Sequence, residues 1–171
     1  MRFLKVLPLF FLLLLGCKGE EGTEGTVNVG FTDDASTKQG TVLKLSIEGI
    51  YLSEDGTNWV TVWEGSKEIS LDVGSATEVY ISEEGIDVKT GTYLYLKIDL
   101  GGITLSLPTG ELELPQTDIE LTLSISTGVE VNPGESVNLL VDMNSEKWLD
   151  VEGGNITGDI QNSITVSVVN P

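Results

Sequence analysis

The chain has 171 residues, with 27 acidic and nine basic side chains and a formal charge of −18. It has no histidine and one cysteine, which excludes Ser-His-Asp and Cys-His catalysis and the His- or Cys-ligated zinc, haem, iron–sulfur and copper sites. So large an acidic excess also excludes nucleic acid as a partner and repels anionic lipid headgroups.

The chain opens with two cations, Arg2 and Lys5, followed by an apolar run from Val6 to Leu15 and then by Gly16, Cys17 and a polar, glycine-rich stretch. A charged start, a short apolar segment and a small residue before a composition break define a secretory signal over residues 1–16. The run falls short of the roughly 20 apolar residues that span a bilayer, and Pro8 interrupts it as a helix. Leu14-Leu15-Gly16-Cys17 resembles the lipobox of bacterial lipoproteins. The resemblance implies thioether attachment of diacylglycerol to Cys17, acylation of the palmitate class and cleavage before that residue. Lys18, in place of Asp, implies delivery to the outer membrane of a cell that has two. Each buried acyl methylene contributes about 0.8 kcal/mol, and two or more chains anchor stably. Residues 17–25 are then the lipidated cysteine and a flexible tether, and 26–171 a single domain. Loss of residues 1–16 removes Arg2 and Lys5, leaving seven lysines, no arginine and a formal charge of −20.

From Thr26 onward, apolar residues alternate with polar ones, the period of strands with one buried face. The rows are Leu43/Leu45/Ile47, Leu94/Leu96/Ile98/Leu100, Ile119/Leu121/Leu123/Ile125, Val137/Leu139/Val141/Met143 and Ile164/Val166/Val168. Turn signals stand between them at Asp55-Gly56, Gly101-Gly102, Pro133-Gly134 and Gly153-Gly154. At Gly49 the apolar phase slips, which predicts a β-bulge. No window has helical periodicity. About ten short strands predict an all-β fold, an antiparallel β-sandwich of immunoglobulin or transthyretin type, with a closed barrel as the alternative. Residues 40–48 and 91–99 echo one another, as duplicated strands or as two independent uses of one β pattern.

Six stretches, taken in order, resemble a family of bacterial and archaeal secreted domains of unknown function. They are Val29-Gly30-Phe31-Thr32-Asp33-Asp34-Ala35, Leu45 to Leu52, Asn58-Trp59-Val60, Ile69 to Val73, Thr90 to Leu96 and Asn138 to Met143. Members open with a Thr-Asp-Ala-Pro-like turn, where this chain has Asp33-Asp34-Ala35-Ser36. The resemblance implies an extracytoplasmic β-sandwich and supplies no activity.

Three groups of residues are candidates for a site. Asp33, Asp34 and Asp55, with Asn58, could give oxygen ligands to Ca²⁺, although no calcium-loop motif is present; the plainer reading is solvated acids, with no cofactor. Trp59, Thr61 and Trp63 alternate along one strand face, so the two tryptophans could form a stacking platform for a sugar ring, or could serve the core. Tyr93 and Tyr95 face away from the Leu94 row in the same pattern. Glu111 and Glu113, between Pro108 and Pro115, could act as an acid–base pair, or could protect an edge strand. Three readings follow: a lipid-anchored, non-enzymatic envelope module that binds a protein or glycan or plays a structural part; a carbohydrate- or Ca²⁺-dependent version of it; and a carboxylate hydrolase.

Overall fold

The computed structural model describes residues 23–34, 40–115, 118–150, 152–153 and 155–169. The signal segment, Cys17 and the turn residues Ala35 and Ser36 lie outside the described residues.

The chain is an all-β sandwich. Its strands are β1 (Glu24–Asp33), β2 (Val42–Ser53), β3 (Trp59–Asp72), β4 (Ser75–Tyr80), β5 (Ile86–Lys89), β6 (Gly91–Leu107), β7 (Gly110–Glu113), β8 (Ile119–Val131) and β9 (Ser136–Asp142). After a 3₁₀ turn, Ser145–Lys147, come β10 (Leu149–Asp150), β11 (Asn155–Ile156), the one-turn helix α1 (Ile160–Ser163) and β12 (Thr165–Val169). One sheet runs β12-β9-β1-β4, with β5 also on β1; the other runs β3-β2-β6-β7, with β8 also on β6; β10 and β11 pair separately. The two strands that echo each other in sequence, β2 and β6, are antiparallel neighbours at the centre of the second sheet.

Between the sheets lie Val27, Val29 and Phe31 of β1, Leu43, Leu45, Ile47, Ile50 and Leu52 of β2, and Leu96, Ile98 and Leu100 of β6, all at most 1% exposed. Trp148 is fully buried, and its Nε1–H donates to the Met143 carbonyl at 2.7 Å. That bond satisfies the indole's one polar group inside an apolar environment.

Four features depart from the sequence expectations. First, β1 and β9 are parallel, paired from Thr26–Ser136 to Thr32–Asp142; alternation marks a buried face and carries no strand direction. Second, β1 begins at Glu24, inside the expected tether. Gly25 contributes no apolar signal because it can carry no side chain: a Cβ there would lie 2.3 Å from the Asn132 carbonyl oxygen. Third, Gly101 and Gly102 are no turn. They lie inside β6, where Ser46 pairs with Gly102 and Ile47 with Leu100, so that Gly101 is the extra residue of a bulge. The slip expected at Gly49 is a bulge too, since Ile47 pairs with Lys67 but Gly49 with Glu64. Fourth, Leu94 is 44% exposed while Tyr93 is 2% exposed. The β6–β8 register jumps from Tyr93–Val129 to Tyr95–Ser124, inverting the side-chain phase at that end of β6. Tyr93 therefore enters the core, its hydroxyl donating to the Lys89 carbonyl at 2.7 Å.

Candidate ligand-binding groove

Val27, Val29 and Phe31 point into the core, so Asn28 and Gly30 fall on the outer face of β1. The parallel register sets Asn28 beside Asn138 and Gly30 beside Leu140 on β9. Both residues of the first pair are asparagine, and Nδ2 of Asn28 donates to Oδ1 of Asn138 at 3.1 Å. On the other flank, antiparallel pairing sets Tyr80 of β4 opposite Gly30. The Tyr80 ring lies across the glycine: a Cβ on Gly30 would approach Cε1 to 2.8 Å. The missing side chain is thus what seats the ring. The Tyr80 hydroxyl donates to Glu78 at 2.6 Å, and below it the Lys67 ammonium donates to the Ile81 carbonyl at 2.6 Å, fixing the end of β4.

Asn28, Asn138, Tyr80 and Glu78 line an open groove of about 580 Å³, with Val79, Ser82 and Glu83 completing its wall. Its volume lies in the range of small-ligand sites, about 300–1,000 Å³. No cation lines it, and Glu78 and Glu83 are exposed. The hydrogen bond to Glu78, with burial and the carboxylate's charge, raises the Tyr80 hydroxyl pKa, so the phenol stays protonated as a donor. The Asn28 Oδ1 is buried and has no hydrogen-bond partner within the protein. Such an acceptor costs about 1–3 kcal/mol until something donates to it.

The residues singled out in the sequence lie elsewhere and do not converge. The β2–β3 register shifts by one between Ile50–Trp63 and Tyr51–Thr61, making Val62 an extra residue. The bulge breaks the shared face: Trp63 packs against the core, beside buried Val62, while Trp59 sits with Tyr51 around Lys97, whose Nζ lies 5.5 Å and 4.5 Å from the two ring centres. The two tryptophans therefore do not share a face as a platform, and Trp63 serves the core, the other reading of the sequence. Tyr93 is core, as above, and Tyr95 is half-buried, its ring near Gly56.

The candidate calcium set is divided between the two ends of the sandwich. Asp33 is fully buried and accepts from the backbone N–H of Ser145 at 3.1 Å and from its hydroxyl at 2.6 Å. It lies at the end of β1 opposite Ser75, next to the start of β2, where Val73 N–H bonds the Thr41 carbonyl. Asp55 lies beyond the other end of the twelve-residue β2, roughly 35 Å away at 3.3 Å per residue. Its carboxylate accepts from the backbone N–H groups of Asn58 and Thr57 and from the Asn58 amide, which hold its pKa well below the usual carboxylate range. Asp34 is exposed. Among the described residues no group of three or more carboxylates is arranged to hold a metal ion. Glu111 and Glu113 are exposed on edge strand β7, and Glu111 pairs with Lys44. Both carboxylates stand in solvent on a sheet edge rather than facing each other in an enclosed cleft.

Sequence reasoning missed the groove because its parts come from residues 28, 80 and 138. One signal was present: Val27-Asn28-Val29 and Val137-Asn138-Leu139 share an apolar–Asn–apolar pattern, and amides are uncommon on strands.

A family model, the DUF4382 domain of unknown function, matches residues 24–158. The chain belongs to the DUF4382 family. The match starts at the first residue of β1 and includes Asn28, Tyr80 and Asn138; α1 and β12 follow it. Comparison of this DUF4382 chain with curated proteins and with solved structures gave no match.

Proposed function

We propose that this chain is a lipid-anchored, non-enzymatic binding module of the cell envelope, carried to the outer membrane where the cell has two. The observation that carries the reading is the short distance between anchor and fold. Cys17 of the lipobox-like Leu14-Leu15-Gly16-Cys17 stands seven residues before β1, whose outer face lines the groove. Lys18, Gly19, Glu20 and Glu21 between them offer no apolar side chain to pack. A neutral groove floor with acidic rims suits capture of a ligand, and the exposed, paired state of Glu111 argues against acid–base work.

Mass spectrometry of protein purified from membranes tests the anchor. Residues 1–16 should be gone and acyl mass should sit on Cys17, and Cys17→Ser should leave an uncut or soluble product. An intact Met1 on the membrane-bound form would refute the anchor. Saturable binding of the protein to isolated envelope fragments, without release of reducing ends, tests the binding role.

A further inference from the structure

Resting on that binding reading, we infer that the groove on the outer face of β1, β4 and β9 takes a neutral, hydroxyl-rich ligand, a segment of glycan. Four observations set its chemistry. The groove is lined by two carboxylates and no cation, so an anionic ligand is repelled. Its floor is a pair of carboxamides, groups that both donate and accept. A sugar hydroxyl does both as well, whereas an ammonium or guanidinium only donates and gives the amide N–H groups no acceptor. The buried Oδ1 of Asn28 lacks a donor within the protein and lies close to Gly85, so a ligand O–H would claim it by turning the amide about its broad carboxamide torsion. Finally, the Tyr80 ring is seated across Gly30 at the groove wall, where its π face offers the partial negative charge that attracts the C–H face of a pyranose. Lysine ammonium groups would satisfy Glu78 and Glu83 and could sit on the ring, but they offer no acceptor to the amide N–H groups, so hexalysine is the competing probe.

The probes are three neutral hexasaccharides, of α-glucose, of β-glucose and of N-acetylglucosamine. Each is titrated into the full-length protein in a sugar-free detergent and followed by backbone and side-chain amide NMR. At least one should bind at millimolar concentration or tighter, shifting Asn28, Tyr80 and Asn138. Asn138→Ala and Tyr80→Ala should each weaken it by about tenfold, or 1.4 kcal/mol. Glu113→Gln, far from the groove on exposed β7, should leave it unchanged. Where Tyr80→Ala lowers the melting temperature, Glu78→Gln serves as the second groove variant. No shift with any of the three sugars, binding indifferent to the groove variants, or preference for a hexalysine probe would each overturn the proposal. Periodate treatment of envelope fragments separates the two readings. Binding abolished by oxidation of vicinal diols supports the glycan. Binding that survives both oxidation and digestion of the fragments by muramidase, which cuts the amino-sugar chains that periodate spares, overturns the glycan but leaves a binding module. No binding to untreated fragments would reject the module itself.

Discussion

Asp33 looks in the sequence like half of an acidic pair at a strand end, yet it is fully buried while Asp34 is exposed. Asp33 is a fully buried clamp on Ser145, so it ties β1 to the segment that carries Trp148 into the core. Asp33→Ala should lower stability by about 3 kcal/mol, because two charge-assisted bonds go and their buried donors are stranded. Denaturant unfolding checks this, and Asp33→Asn, which keeps an acceptor, should cost less. Asp142 is the opposite case. Burial raises its pKa; the Asn144 N–H pulls the other way, and the charges of Asp34 and Asp33 raise it further. The folded state therefore binds this proton over a window above the ordinary carboxylate pKa in which the unfolded state has lost it. Stability then falls as pH rises through that window. Asp142→Asn should raise the melting temperature at neutral pH and flatten its dependence on pH above the ordinary carboxylate range. An unchanged profile would place the titration elsewhere. Asp55, whose pKa is depressed, acts in the reverse sense: its contribution is present above the normal carboxylate range and fades only as strong acid protonates it.

At the level of strands, faces are decided by bulges as much as by alternation. Leu94 and Leu96 belong to one apparent apolar row, but the jump between Tyr93–Val129 and Tyr95–Ser124 sends Leu94 outward. Leu96→Ala should cost about 2–5 kcal/mol and Leu94→Ala within about 0.5 kcal/mol; equal costs would restore the unbroken row. The same physics explains what the sequence made legible. The rows on β8 and β9, from Leu121 to Ile125 and from Leu139 to Met143, run straight and are buried as alternation implies. The slip at Gly49 could be seen because apolar residues flank it on both phases. Bulges at Val62, Gly101 and the Tyr93 end of β6 could not, since each depends on how many residues the partner strand supplies. The candidate site was hidden for a related reason. A parallel partner for β1 lies more than a hundred residues downstream, at β9, and nothing local to Asn28 announces Asn138. The tryptophan and aspartate candidates were chosen for nearness in sequence, which a bulge and a twelve-residue strand respectively undo.

For the molecule as a whole, charge acts as a distributed field. Among the described residues the acids are not gathered for a metal, so their mutual repulsion should be relieved by any screening ion. Ca²⁺ and Mg²⁺ at equal ionic strength should therefore raise the melting temperature alike, with NaCl reproducing most of the effect. A Ca²⁺-specific rise abolished by Asp33→Asn would contradict the division of the acids between opposite ends. The parallel pairing of β1 with β9 has a mechanical consequence. β1 leads directly from the N-terminal side into the middle of its sheet, and seven of its residues are paired in register with β9. Tension along the chain from a held Cys17 would load those pairs together in shear, whereas a hairpin edge peels one pair at a time. A ligand gripped between Asn28 and Asn138 would pull on the same two strands, so force would pass from ligand to membrane along β1 without crossing the interior, leaving the opposite sheet unstressed.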